Sequence, residues 1–185
     1  MARRGIQELT ACPTLETERL VLRPFHESDL DDYLAMMTAE PVRRWLFVPD
    51  SFGRYQAWAQ MAGWLGQWAL RGSGHWALED KATGAFVGRA GTHRPERHDW
   101  PGLEVGWTLH PDHWGKGYAT EAGARSVQYA FDVNGVDELV SCILPDNERS
   151  AAVARRLGFE ISDRRELSNL PGKPLDIWRL TRPAG

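Results

Sequence analysis

The stretch "HPDHWGKGYATEA", residues 110–122, sets two glycines around a lysine and runs directly into a helix-forming segment. Gly115 and Gly117 can take positive φ and let the backbone approach a ligand closely. A helix starting there presents unpaired N–H groups at its positive end, so the turn suits a phosphate or pyrophosphate. Lys116 adds a point charge and Thr120 a hydroxyl near the same end. Taken alone, a glycine pair equally well solves a strand-to-helix geometry. Two other phosphate motifs are excluded by spacing. A P-loop needs a Lys-Ser/Thr pair after its second glycine, and Tyr118 follows Gly117. The dinucleotide fingerprint needs a glycine where Thr120 stands.

Upstream of the turn, "LEVGWTLH" alternates. Leu103, Val105, Trp107 and Leu109 share one face; Glu104, Gly106, Thr108 and His110 share the other. This predicts a strand. Gly106 removes a side chain from it, which permits a bulge, pairing by another chain's amides, or close packing. Downstream, a helix is expected from about Gly117 to Phe131, then a strand in "ELVSCIL", a helix in "ERSAAVARRLG", and strands in "FEIS" and "LDIWRLT".

Nearer the amino terminus, "LETERLVLRPF" reads as a strand with Leu20 and Leu22 on one face and Arg19, Val21 and Arg23 on the other. Ser28 or Asp29 can cap a helix carrying Leu30, Tyr33, Leu34 and Met37. A second helix over Arg54–Arg71 shows a stripe of Trp58, Met61, Ala62, Leu65 and Trp68, leaving Trp64 off it, free to close over a substrate or bind a partner. "HWALED", a Thr83-Gly84 turn and "AFVGRAGTH" form a hairpin. Helices, antiparallel strands and then alternating strands and helices make a mixed α/β fold.

The 185 residues, 42% hydrophobic, fit one domain: a loose leader over residues 1–14 and a single body over 15–185, with no linker or repeat between them. A net charge of −3 argues against a nucleic-acid-coating surface. No apolar run reaches signal-peptide or membrane-spanning length, which predicts a soluble, cytoplasmic protein with no membrane partner. Cys12 and Cys142 make neither a disulfide framework nor a zinc spacing, and Cys142 reads as a small core residue. His110 and His113 lack the glutamate and third ligand of a metal site, so no metal is expected. His75 and His110 remain candidates for lining an acceptor cleft.

Four stretches together, "LETERLVLRPF", "EVGWTLHPDHWGKGYATEA", "NERSAAVARRLGF" and the closing strand, resemble the GCN5-related N-acetyltransferases (GNAT), above all the RimJ/RimL-like branch that acetylates ribosomal-protein amino termini. That family's turn, [QR]-x-x-G-x-[GA], falls on Trp114, Gly115, Lys116, Gly117, Tyr118 and Ala119, with Trp114 in place of Gln or Arg. Since the turn works through main-chain N–H groups, this departure touches its chemistry little.

The resemblance implies a mostly antiparallel sheet splayed near its centre, with flanking helices and the pantetheine of acetyl-CoA between "LEVGWTLH" and "ELVSCIL". It assigns Trp107, Leu109, residues 114–120 and Asn147 to the cofactor, Glu104 to the general base and Ser150 to protonation of the leaving thiolate. Asn147 and Ser150 also read simply as a helix cap and first-turn residue, and Glu104 as an exposed strand carboxylate or the partner of an arginine. The implied reaction moves an acetyl group to a primary amine, either a protein α-amine or a small amine. An α-amine, with a pKa of about 7.7–8.0, needs less help from a base than a lysine near 10.4. A non-catalytic acyl-CoA sensor, or a transferase using succinyl-CoA, would share the turn. The loops "FVPDSFGR" and "HRPERHDWPG" are expected to shape the acceptor site, with Arg54, Arg94 and Arg97 offset by Asp50, Glu96 and Asp99. A homodimer is possible.

Overall fold

A computed structural model of the protein describes residues 10–168 and 170–183. In chain order it contains β1 (Leu15–Glu16), β2 (Leu20–Arg23), α1 (Leu30–Thr38), α2 (Glu40–Leu46), α3 (Arg54–Arg71), β3 (His75–Asp80), β4 (Phe86–His93), β5 (Glu104–Leu109), α4 (Tyr118–Asp132), β6 (Glu138–Ile143), α5 (Glu148–Arg156), β7 (Glu160–Arg165) and β8 (Leu175–Thr181). The strands form one eight-stranded sheet in the order β1-β2-β3-β4-β5-β6-β8-β7. All neighbours are antiparallel except β5 and β6. That parallel pair meets only at Glu104 opposite Val140 and parts toward Leu109 and Ile143, which is the expected splay.

The β3–β4 hairpin forms as the sequence predicts because Asp80 closes its turn. The Asp80 carboxylate accepts from the Ala82 and Thr83 amides at 2.9 and 3.1 Å, an Asx arrangement that needs no other partner. The two faces of the sheet carry separate cores. Leu22, Trp76, Leu78, Leu109 and Ala122 pack together under α4, while Leu30, Tyr33, Met61, Ala77 and Phe86 pack under α1 and α3. Burying each of the Leu, Met and Phe side chains among them stabilises the fold by about 1.5–3 kcal/mol.

Four details differ from the sequence reading. The short α2 was not foreseen; it starts with Pro41 in its first turn and stops where Phe47 turns left-handed at φ 52°. Asp29 precedes α1 but does not cap it, because its carboxylate forks onto Arg23 at 2.8 Å and accepts from the His26 amide. The buried stripe of α3 is Ala57, Met61 and Trp68, leaving Trp58 46% exposed and Leu65 38% exposed. Trp64 therefore faces the sheet rather than standing free: it stacks on His75 with centroids 4.3 Å apart and donates to the Tyr33 hydroxyl at 3.2 Å.

Residues 1–9 of the expected leader lie outside the described residues. Residues 10–14 are held against the body: the Thr10 amide donates to the Ala69 carbonyl at 3.2 Å and Trp76 Nε1 to the Pro13 carbonyl at 2.8 Å.

Candidate active site

The glycine turn leaves the end of β5 through a single 3-10 turn, Pro111–His113. Gly115 and Gly117 both adopt positive φ, 76° and 84°, a region that side chains other than glycine's rarely tolerate. The first hydrogen bond of α4 runs from the Glu121 amide to the Gly117 carbonyl at 3.0 Å. No described group accepts from the amides of residues 115–120, so they form a row of free donors at the positive end of α4.

A brace that the sequence reading passed over holds this row in shape. Arg19, just before β2, donates to the Glu121 carboxylate at 2.7 Å and to the Lys116 carbonyl at 2.8 Å, and Thr17 donates to the same carboxylate at 2.6 Å. Partial burial works to raise the Glu121 pKa, but these donors outweigh it and hold it below the usual carboxylate value. Glu121 is thus held ionised, paired with Arg19 at the start of α4.

A cleft of about 950 Å³ opens over the turn. Its wall includes Trp107, Thr108 and Leu109 from the splayed edge of β5, and Trp114, Gly115 and residues 117–120 from the turn. Asn147, the cap of α5, and Ser150 in its first turn also line the cleft, with Arg149 and Arg156. Asn147 also caps α5, its side-chain oxygen accepting from the Ser150 amide at 3.3 Å, so the structural and ligand-facing placements coincide. Trp114 lies under the Arg149 guanidinium, 4.6 Å from ring centre to Cζ.

Two residues of the turn are placed differently from the others. Lys116 is not on the cleft wall; its backbone is what Arg19 grips. The Tyr118 ring is buried and its hydroxyl donates to Asp80, so the polar end of that side chain is tied to the β3–β4 hairpin. The unforeseen α2 supplies Val42, Trp45 and Leu46 as an apolar wall. Its short amphipathic run, "EPVRRWL", was the one available signal.

Glu104 sits at the point where the sheet begins to part. It lies on the face opposite Val105, as the alternation predicts, yet it is not an exposed carboxylate: it is 8% accessible. One oxygen accepts from the Cys142 amide of β6 at 3.2 Å, filling the gap where the β5–β6 ladder stops. The other lies 3.5 Å from His93 Nε2, across the β4–β5 ladder. Burial pushes the Glu104 pKa up to about 8; the Cys142 amide and the Arg89 charge oppose the rise without cancelling it. Along β5, Glu104 is four residues from Thr108 on the cleft wall, about 13 Å at the rise of a strand.

His75 and His93 share this face with Arg89. His75 is fully buried, its Nδ1 2.9 Å from an Arg89 nitrogen, and burial holds its pKa well below the usual value. Gly106 carries no bulge. It pairs with Gly91, and a Cβ there would stand 3.3 Å from His75 Cε1, so the missing side chain makes room for that ring. His110 is at the 3-10 turn, where Nδ1 accepts from the Asp112 amide at 3.3 Å. Among the described residues no group of three or more His, Cys, Asp or Glu side chains is placed to hold a metal ion, and no described helix is long and apolar enough to cross a membrane.

A parallel strand pair opened at one end, closed by a glycine turn with free amides, defines a fold for holding an acyl-CoA, and the chain belongs to the acetyltransferase (GNAT) domain family, whose model matches residues 19–160. The protein is an N-acetyltransferase with acetyl-CoA as its cosubstrate. The N-acetyltransferase YoaA of Bacillus subtilis (strain 168) is 26% identical over 149 residues, covering 80% of this chain and 83% of that one. The [ribosomal protein uS5]-alanine N-acetyltransferase of Escherichia coli (strain K12) is 27% identical over 151 residues, 79% and 77% of the two chains. Among solved structures, an acetyltransferase from Agrobacterium tumefaciens str. C58 superposes with a TM-score of 0.80 at 30% identity, over 98% of this chain and 100% of that one. RimL, a ribosomal L7/L12 α-N-protein acetyltransferase solved with coenzyme A, shares the fold with a TM-score of 0.74 at 16% identity, over 91% and 98%.

Proposed function

We propose that the protein acetylates a primary amine, a protein amino-terminal α-amine or a small amine, with Glu104 as general base and Ser150 as proton donor to the departing thiolate. The observation that carries this reading is the position of Glu104: a buried carboxylate at the apex of the splay, with one oxygen fixed and the other without a hydrogen bond. The amides of residues 115–120 bind the diphosphate at the open end, with Arg19 bracing them and Arg149 and Arg156 adding positive charge. Trp107, Leu109 and Asn147 hold the arm that runs from there toward Glu104. Trp114 closes the turn, and Lys116, Tyr118, Ala119 and Thr120 act through their main chain.

A base acts best with a pKa near the working pH, and the value of about 8 for Glu104 lies beside the 7.7–8.0 or so of an α-amine. Proton transfer between them is close to balanced, which favours an α-amine over a lysine. The Escherichia coli relative, a ribosomal-protein-alanine N-acetyltransferase, points the same way. The reading includes a cytoplasmic protein whose residues 15–185 act as one domain, with no nucleic-acid or membrane partner. It also includes a homodimer, for which exposed Tyr55, Trp58 and Leu65 on α3 offer an apolar face.

The test is thiol release from acetyl-CoA with a panel of peptides bearing free amino termini, polyamines and small amines, followed by mass spectrometry. Turnover with one amine class, lost in Glu104→Gln while coenzyme A affinity persists, supports the reading. Full turnover in Glu104→Gln refutes the base assignment.

A further inference from the structure

Glu104 is not alone at the apex. The antiparallel ladder pairs it with His93, and both side chains stand on the same face. Of its two oxygens, Oε1 is committed to the Cys142 amide, and Oε2 lies 3.5 Å from His93 Nε2 with no hydrogen bond of its own. His93 is the last residue of β4, yet its ring is held on three sides: edge-on to Trp64 at 5.5 Å, against His75 at 5.4 Å and against Trp100 at 5.7 Å. An imidazole so confined can turn only one nitrogen toward the carboxylate.

We propose that His93 is a positioning residue for the catalytic base: kept neutral, it presents Nε2–H to Glu104 Oε2 and thereby stabilises and orients the ionised carboxylate. The inference rests on Glu104 being the base. Every charged or titratable group facing the pair fits a neutral ring. Arg89 of β4 stands nearby and its charge opposes a second cation; His75 of β3 already accepts from Arg89 and is itself neutral. From β6 comes the Cys142 thiol, with Arg165 and Arg179 of β7 and β8 behind it. α3 contributes Trp64, with its Arg71 turned onto the Arg94 carbonyl and Glu96, and the β4–β5 loop contributes Trp100, with Arg97 turned onto Asp99. Burial, then Arg89, push the His93 pKa down to about 3, so the ring carries one proton throughout the working range.

A long contact in the free enzyme is common for a catalytic hydrogen bond and shortens when the site fills. The amine loses its proton to Glu104 as its nitrogen bonds the acetyl carbon, the C–S electron pair leaves with sulfur, and His93 keeps its own proton. Its part is to lower the cost of the ionised form and fix its orientation, against the burial that favours the protonated acid.

The experiment compares pH profiles of kcat/KM and kcat for wild type, His93→Phe, His93→Gln and Glu104→Gln, with circular dichroism to confirm folding. Removing the donor raises the Glu104 pKa, so His93→Phe moves the acidic limb upward by about one pH unit, a roughly tenfold loss at pH 7 that recovers at high pH. KM for acetyl-CoA stays unchanged, and His93→Gln, which keeps an N–H at similar reach, recovers most of the shift. An equal loss at all pH values in His93→Phe, or no loss, overturns the positioning role while leaving Glu104 as base. Activity in Glu104→Gln sinks the base reading itself. Imidazole ¹⁵N shifts give an answer independent of turnover: a neutral Nε2–H tautomer from pH 5 to 9 is expected, and an Nδ1–H tautomer or an imidazolium at pH 7 refutes the proposal.

Discussion

Trp114 Nε1–H donates to the carbonyl of Leu109 across 2.9 Å, fastening the glycine turn to the strand it leaves. The indole stands where the family's turn usually has Gln or Arg, and this bond shows what the larger ring does there. Trp114→Phe keeps the ring and removes the donor. A drop of about 1 kcal/mol in unfolding free energy is expected, with a several-fold weaker coenzyme A complex by calorimetry. Unchanged affinity would mean that the turn keeps its shape without the bond.

Gly117 is the residue on which the row of free amides depends. At φ 84°, a Cβ would be strained and would stand 3.2 Å from an Arg19 nitrogen, displacing the brace. Gly117→Ala is expected to cost about 1–2 kcal/mol of stability and to weaken coenzyme A binding at least tenfold. Arg19→Ala should leave the fold nearly intact, because its ion pair is 44% exposed on the arginine side, and yet lower cofactor affinity by loosening the Lys116 carbonyl.

Stability should depend on pH through the apex cluster. The Glu104 pKa rises from 4.5 unfolded to about 8 folded, so between those values only the folded state keeps the proton and stability falls as pH rises. His93 works in the other sense: its pKa falls from 6.5 to about 3, so stability grows as pH rises through that window. The two opposing slopes overlap between pH 4.5 and 6.5, and only the Glu104 decline continues to pH 8. Glu104→Gln should flatten the decline between pH 6.5 and 8 in denaturant titrations. A wild-type profile already flat there would contradict the burial of a protonated carboxylate.

Both thiols should be inert in the folded protein. Burial raises the Cys12 pKa to about 12, and burial followed by the Glu104 charge raises that of Cys142 further. Neither should react with a disulfide reagent at pH 8 until denaturant is added.

The parts of the fold legible in the sequence were those set by local chemistry. Asp80 with Thr83 and Gly84 specifies its own turn, Asn147 its own cap, and the glycines around Lys116 their own backbone geometry. The buried side of α3 was legible in part: Met61 and Trp68 of the expected stripe are buried, but Trp58 and Leu65 are not, because apolar residues extend beyond one face of that helix. Trp64 extends the Met61 and Trp68 side as well as Trp58 and Leu65 do, and only the sheet beneath decides between them. α2 was missed because seven residues are too few for a periodic signal. The face on which Glu104 stands, opposite Val105, was readable from the alternation of the strand. The burial of Glu104 was not, since that depends on His93 and Cys142, which are distant in sequence and brought together by the ladders on either side.

Where β5 and β6 part, the sheet is stitched by a single rung, Glu104 opposite Val140, and one side-chain bond to the Cys142 amide. Mechanically this leaves two half-sheets, β1–β5 and β6–β8, sharing a seam, and an extended molecule seated in that seam acts as a missing strand. Native-state hydrogen exchange should therefore show β6 amides opening more readily than those of β4 in the free enzyme. A bound acyl-CoA should close that difference and raise the melting temperature with its concentration, so that cosubstrate supply also governs how long the enzyme stays folded.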